Sequence, residues 1–160
     1  MESRTVIFPG SFDPFTRGHA AVVDEALRIF DKVIVGIGDN VSKRGLLPTA
    51  KRAALIRDLY AENPRVEVRT YSSLTGDFAR ECGAKVVVRG VRTGYDIEYE
   101  QNMASVNRRL YPDLTTVILC TPAELSHISS SVVRELLEFG HPVDDFMPEG
   151  VDIGRYLENK

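Results

Sequence analysis

The sequence predicts an α/β fold, a Rossmann-like doubly wound domain built on a five-stranded parallel sheet. Short apolar segments typical of buried strands alternate along the chain with segments of helical period. Cations, hydroxyls and glycines follow directly after several of those strand segments, where open parallel sheets bind their ligands. The chain has 160 residues and no repeat or linker, so we expect one domain over residues 1–160.

The first strand and helix are predicted from residues 5–30. Residues 5–8 form an apolar run that Pro9 and Gly10 close, which predicts a buried strand. The following helix has Thr16 as its expected N-cap. Its apolar face consists of Val23, Ala26, Leu27 and Phe30.

The next two strand–helix units occupy residues 33–83. A strand is predicted over 33–37, then a helix that Thr49 caps and that ends near Tyr60. Residues 66–70 alternate apolar and charged side chains, as in a half-exposed strand. The helix predicted over 74–82 ends at Gly83.

The remaining elements are a buried strand over 86–88, a helix, a fifth strand over 116–119 and a helix over 131–139. The helix between the two strands opens with the acidic residues 96–100, which suit the positive end of a helix dipole. It carries an apolar stripe that fits either the core or an interface between subunits. The stripe consists of Tyr99, Met103, Val106 and Leu110.

The composition restricts the function classes. The net charge is −3, which argues against a nucleic-acid partner, since phosphate contacts dominate such binding. No apolar run approaches the ~20 residues of a membrane-spanning helix, so we expect no membrane partner and a cytoplasmic location. The two cysteines, Cys82 and Cys120, lack metal-ligand spacing and are interpreted as core thiols; no protein-bound metal is predicted.

Polar groups that bind polyphosphates are expected at one edge of the sheet. Such groups combine charge-assisted donors with backbone N–H groups at helix N-termini. They follow the first strand in residues 9–19, the second in residues 42–44, the fourth in residues 89–92 and the fifth in residues 126–131.

Several of these residues have both a structural and a functional interpretation. His19 could cap a helix or donate a hydrogen bond to a phosphate, and the pattern around it favours the second role. Arg89 directly follows three valines, so either burial or a ligand must explain it. The three serines 129–131 suit a helix N-cap and a phosphate site equally well. Asp13 is expected to be structural.

The motifs resemble those of a known family. Residues 9–19, PGSFDPFTRGH, are similar to the signature of the nucleotidylyltransferase superfamily, which contains a T-x-G-H element. Four further segments extend the resemblance to the phosphopantetheine adenylyltransferase family over nearly the whole chain. These segments are Ser42-Lys43, Arg89-Gly90-Val91-Arg92, Tyr99-Glu100 and Ile128-Ser129-Ser130-Ser131.

The resemblance implies a role for each matching residue. His19 would stabilise charge at the α-phosphate of ATP. Lys43, Thr75, Arg89 and Ser11 would bind 4′-phosphopantetheine. The ATP site would consist of Ser11, Phe12, His19, Gly90, Val91, Arg92, Glu100, Leu125, Ser126, His127, Ile128, Ser129, Ser130 and Ser131.

The resemblance also implies the reaction, which would transfer AMP from ATP to 4′-phosphopantetheine with Mg²⁺ and yield dephospho-coenzyme A and pyrophosphate. The family is typically homohexameric. Three alternatives stay open at this point. The first is a sister nucleotidylyltransferase with another acceptor, the second a non-catalytic nucleotide-sensing module, and the third a tRNA-binding synthetase fragment.

Overall fold

Five parallel strands form the sheet of the computed structural model, which describes residues 3–40 and 45–157. The strand order is β3-β2-β1-β4-β5, so the chain reverses its direction of winding between β1 and β4. The predicted five-stranded parallel sheet is confirmed. The strands are β1 (Thr5–Gly10), β2 (Lys32–Gly38), β3 (Val66–Tyr71), β4 (Val86–Val91) and β5 (Thr115–Cys120).

Within the described residues, five α-helices connect and follow these strands. They are α1 (Arg17–Ile29), α2 (Thr49–Leu59), α3 (Thr75–Glu81), α4 (Gly94–Leu110) and α5 (Ser130–Glu138). Short 3₁₀ turns lie at Ala123–Leu125, Asp144–Phe146 and Ile153–Arg155. None of the helices in the described ranges is both long and apolar enough to span a bilayer.

The central strands β1 and β2 are buried on both faces because helices cover both sides of the sheet. In β1, Val6 and Phe8 face the larger core with α1, α2 and α5, whereas Ile7 faces a smaller core. Phe78 of α3 and Tyr111 after α4 belong to that smaller core. This arrangement explains why β1 has the continuous apolar run of a parallel strand rather than alternation.

The predicted helix boundaries hold at most ends. The Thr16 side chain accepts from the His19 N–H and caps α1, and the Ser129 side chain accepts from the Val132 N–H and caps α5. Gly83 ends α3 with a φ of 67°. The Thr49 cap was wrong, because Pro48 occupies the cap position and the Thr49 hydroxyl instead donates to Asp39.

The structure tests the predicted burial of the two cysteines and of the apolar stripe on α4. Cys120 is exposed at the end of the edge strand β5, so its interpretation as a core thiol was wrong, whereas Cys82 is half-buried and packs against the smaller core. Tyr99, Met103, Val106 and Leu110 of α4 are all exposed, between 38% and 60%, so the stripe does not belong to the core of this chain.

Candidate active site

A cavity opens beside the carboxyl ends of β1 and β4, at the reversal of strand order where open α/β sheets bind ligands. Three glycines, five hydroxyl side chains, a histidine and two arginines line it together with apolar residues. The lining residues are Phe8, Pro9, Gly10, Ser11, Phe12, Thr16, Gly18, His19, Val22, Arg89, Gly90, Arg92, Thr121, Ile128, Ser129 and Ser130.

The first turn of α1 fixes the tautomer of His19. The Thr16 backbone N–H donates to Nδ1 of the imidazole over 2.9 Å, while the Thr16 hydroxyl accepts from the His19 N–H. His19 thus takes the place that a glutamate has in an ordinary capping box. Because Nδ1 accepts, the proton of the neutral ring is on Nε2, which leaves an N–H donor at the cavity wall.

The surroundings keep this imidazole neutral. Burial, and then the positive charges of Arg89 and Arg92, lower the pKa of His19 to about 3. Phe12 meets the ring edge-on with centroids 5.0 Å apart, and Phe15 packs at 5.3 Å. His19 is therefore a neutral hydrogen-bond donor in a cationic cavity at pH 7, and not an additional charge.

The loop between β1 and α1 contains a residue with unusual backbone geometry. Phe12 has a φ of +49°, the left-handed region that non-glycine residues rarely adopt. This conformation places the Phe12 ring close to Gly10, where a Cβ would lie 3.0 Å from the ring. A non-glycine residue stays in this region only where the surrounding structure holds it, and such residues are concentrated at ligand sites.

Arg89 at the end of β4 is held by a carboxylate. Its Nε and Nη2 donate to Glu100 over 2.9 and 2.8 Å, and its Nη1 donates to the Pro9 carbonyl. Glu100 lies on α4 and is only 6% exposed. Both alternatives considered for Arg89 therefore have support, since the guanidinium is fixed by an internal ion pair and still lines the cavity.

Arg92 connects β4 to the segment before α5. Its Nη1 donates to the Ser126 carbonyl over 3.1 Å, and its Nε lies 3.6 Å from the Asp96 carboxylate. At α5, the Ser130 hydroxyl donates to the Pro14 carbonyl over 2.8 Å. The N-termini of α1 and α5 therefore reach the same cavity, tied to each other through the β1–α1 loop.

A second cavity lies beside the first. Tyr71, Thr75 and Met103 line it together with the Arg89–Glu100 pair, and the Tyr71 hydroxyl lies 3.1 Å from that of Thr75. Pro9, Gly10 and Arg89 line both cavities. The site thus consists of two adjacent compartments with a common wall.

Comparison with known proteins identifies the family. The cytidylyltransferase-like family model matches residues 7–136. The chain is 51% identical to the phosphopantetheine adenylyltransferase of Phocaeicola vulgatus over 150 residues, which are 94% of this chain and 99% of the relative. The Bacteroides fragilis protein of the same name is 45% identical over the same shares of the two chains.

The chain belongs to the phosphopantetheine adenylyltransferase family.

Solved structures agree on the fold of this family member. The bifunctional NMN adenylyltransferase/ADP ribose pyrophosphatase from Francisella tularensis superposes with a TM-score of 0.66 over 91% of this chain. The identity is 18%, so this likeness shows the fold alone, and the chain spans 45% of that longer protein. The predicted Rossmann-like class and the predicted family are both confirmed.

Most residues that the family resemblance singled out lie together. The first cavity gathers Ser11, Phe12, His19, Gly90, Arg92, Ile128, Ser129 and Ser130. Thr75 and Glu100 line the second cavity, and Arg89 lines both. Residues that line neither cavity are Val91, Leu125, Ser126, His127 and Ser131. Lys43 falls outside the described residues.

Sequence reasoning missed the groups that hold the β1–α1 loop in place. Asp13 was expected to be structural, and its buried carboxylate accepts the backbone N–H groups of Leu46 and Leu47 over 2.7 Å each. Arg134 donates to the Asp13 carbonyl, and Arg52 donates to the Ser11 carbonyl. Their partners are 33–121 residues away, so no local pattern could have revealed them.

Proposed function

We propose that the chain transfers the adenylyl group of ATP to 4′-phosphopantetheine and releases dephospho-coenzyme A and pyrophosphate, a step of coenzyme A synthesis. The observation that carries this proposal is the neutral Nε2–H donor of His19, in a cavity shared with Arg89, Arg92 and two helix N-termini. Donors and positive charge of this kind suit the binding of two polyanions. The names of the close relatives support the same acceptor.

The chemistry requires little from the protein beyond positioning and charge. A phosphate oxygen of the acceptor attacks the α-phosphorus of ATP, the bond to the bridging oxygen breaks, and pyrophosphate leaves with the electron pair. A phosphate monoester has a second pKa of about 6, so the attacking group is already ionised and needs no general base. No covalent intermediate with the protein forms in this proposal.

The first cavity would bind the nucleotide. His19 would donate from Nε2 to the α-phosphate, where negative charge increases in the transition state. Arg92 and the N-terminus of α5 would bind the remaining phosphates. The lining by Phe12, Gly90, Ile128, Ser129 and Ser130 supports this assignment. Val91, Glu100, Leu125, Ser126, His127 and Ser131 belong to the same proposed ATP site.

The second cavity would bind the acceptor. Arg89, which Glu100 orients, would hold the acceptor phosphate at the common wall, and Thr75 and Ser11 would contact the acceptor as well. A guanidinium suits this task because it presents fixed donors to phosphate oxygens. Lys43 is proposed as a further acceptor ligand.

Mg²⁺ would enter this site with ATP. Mg²⁺ is commonly bound by one or two carboxylates together with substrate phosphates. Among residues 3–40 and 45–157, no group of three or more His, Cys, Asp or Glu side chains could hold a metal ion. The site residues therefore fit an ion that is bound mainly through the triphosphate, where it would offset negative charge.

We further propose a cytoplasmic homohexamer. The exposed apolar stripe of α4 supports self-association, since exposed apolar patches mark interaction surfaces. Light scattering should then give six times the chain mass.

Pyrophosphate release tests the reaction. The purified protein is incubated with Mg-ATP and 4′-phosphopantetheine, with nicotinamide mononucleotide as a parallel acceptor. We expect release with phosphopantetheine alone. Release only with nicotinamide mononucleotide would assign the chain to a sister activity, and binding of ATP without release would indicate a nucleotide-sensing module.

A further inference from the structure

Arg52 of α2 is a buried cation whose observed partners are all neutral. It is 8% exposed, and its guanidinium donates to the Leu47 carbonyl, the Ser11 carbonyl and the Thr49 hydroxyl over 2.9, 2.8 and 3.1 Å. None of the ion pairs among the described residues includes Arg52. A buried charge without a carboxylate partner is a poor source of stability, so its retention needs another reason.

The Ser11 carbonyl belongs to the peptide unit that joins Ser11 to Phe12. In a trans peptide the C=O and N–H groups point in opposite directions. Because Arg52 binds the C=O, it directs the Phe12 N–H to the opposite side of that unit. Within the described parts of the chain, no group accepts a hydrogen bond from this N–H.

The N–Cα bond of Phe12, which adjoins this peptide unit, is in the left-handed region with a φ of +49°. Such a conformation is energetically unfavourable and persists only where surrounding contacts impose it. Arg52 supplies one of those contacts directly. Asp13 supplies another, because its carboxylate joins the β1–α1 loop to Leu46 and Leu47, next to the other carbonyl that Arg52 binds.

We propose that Arg52 is a positioning residue: it fixes the Ser11–Phe12 peptide so that the Phe12 N–H faces the nucleotide phosphates. The buried charge of Arg52 adds to the positive potential on the other side of that peptide. This inference rests on the proposed function only in taking the first cavity as the nucleotide site.

The test compares Arg52→Lys with Arg57→Lys. Arg57 is on the same helix and also donates to a backbone carbonyl, that of Val68, so its substitution is the matched structural control. Lysine keeps the charge and loses the planar fork that reaches three acceptors at once. We expect Arg52→Lys to lower kcat/KM for ATP about 10–100-fold, as small misplacements in active sites do, with a Tm close to that of Arg57→Lys. A kcat/KM within twofold of that of Arg57→Lys would overturn the proposal.

A second pair of variants covers the possibility that Arg52→Lys does not fold. Thr49→Val removes one acceptor of the guanidinium, and Thr49→Ser keeps the hydroxyl. We expect a loss in kcat/KM for ATP with valine that serine restores. Equal kinetics in the two variants would contradict a positioning role.

Failure of the proposed reaction is distinguishable from failure of this inference. If the unaltered protein releases no pyrophosphate, the comparison is made on the dissociation constant for ATP alone. Weaker ATP binding in Arg52→Lys than in Arg57→Lys would then still support the inference, and equal binding would refute it.

Discussion

At the scale of single residues, His19 obtains its tautomer from the helix that it helps to begin. The Thr16 N–H is one of the unpaired donors that every helix start presents, and the imidazole Nδ1 accepts from it. The same contact therefore caps α1 and places the ring proton on Nε2. A glutamate at this position would complete the capping box equally well but would leave no donor for a phosphate.

Replacing His19 tests that donor. We expect His19→Ala to lower kcat about 10²–10³-fold, the range found for the loss of one transition-state donor, while ATP still binds. The measurement is the steady-state rate of pyrophosphate release together with the ATP dissociation constant. His141→Ala is the control, because His141 is exposed and its Nδ1 lies 2.7 Å from the carbonyl of the adjacent Pro142. An unchanged kcat in His19→Ala would exclude the role.

Glu100 has an important contact that the sequence did not predict. Family resemblance implied a contact with ATP, and the structure also joins its carboxylate to Arg89 in a two-bond ion pair. Sequence alone could not show this pairing, because it depends on how α4 packs beside β4. The ion pair therefore joins Glu100, which is proposed to contact ATP, to Arg89, which is proposed to bind the acceptor.

At the scale of secondary-structure elements, the position of α1 depends on Gly90 of β4. A Cβ at Gly90 would lie 2.5 Å from Cγ2 of Val22 on α1. Val22 is β-branched and buried, so it has few rotamers with which to move aside. Because His19 lies at the start of α1, this close packing also determines how far His19 stands from β4.

Gly90→Ala should therefore disturb both stability and the site. We expect a loss of about 1–3 kcal/mol in the free energy of unfolding, as overpacking commonly causes, measured by urea denaturation. The double variant Gly90→Ala with Val22→Ala should recover part of the loss. Gly94→Ala is the control, since a Cβ there would contact nothing within 4 Å. A loss no larger than that of Gly94→Ala would contradict this packing argument.

At the scale of the whole molecule, the sequence predicted the sheet and the order of elements along the chain, and it placed the candidate site residues at the sheet edge where the first cavity opens. Apolar runs and helical periods are local patterns, so they can be recognised in the sequence without knowledge of the tertiary structure. Two failures arose where position in the fold decides. Cys120 has the apolar neighbours of a core strand, but β5 is an edge strand and its last residue is exposed. Thr49 has a typical capping side chain, but Pro48 already holds the cap position.

The long-range contacts of the β1–α1 loop could not be predicted from the sequence either. Arg52 resembles any arginine in the first turns of an amphipathic helix, and Asp13 resembles any aspartate before proline. Only the approach of α2 and of residues 45–47 to the loop gives these side chains their partners.

The free energy of unfolding should depend on pH because His19 stays neutral in the folded chain. Its pKa is about 3 in the folded chain and about 6.5 in an unfolded one, so between those values only the unfolded chain takes up the proton. The contribution of His19 to stability is therefore complete above pH 6.5 and declines as the pH falls. Between pH 7 and pH 5, the free energy of unfolding should fall more in the unaltered protein than in His19→Asn. Equal declines in the two proteins would show that His19 titrates normally when folded.

The wall that the two cavities share, formed by Pro9, Gly10 and Arg89, has a stereochemical consequence. In the proposed assignment, an acceptor in the second cavity would meet the α-phosphorus on the side opposite to the pyrophosphate, which would leave from the first cavity. In-line displacement of this kind inverts the configuration at the α-phosphorus. ATP made chiral by sulfur at the α-phosphorus should therefore give a product of inverted configuration.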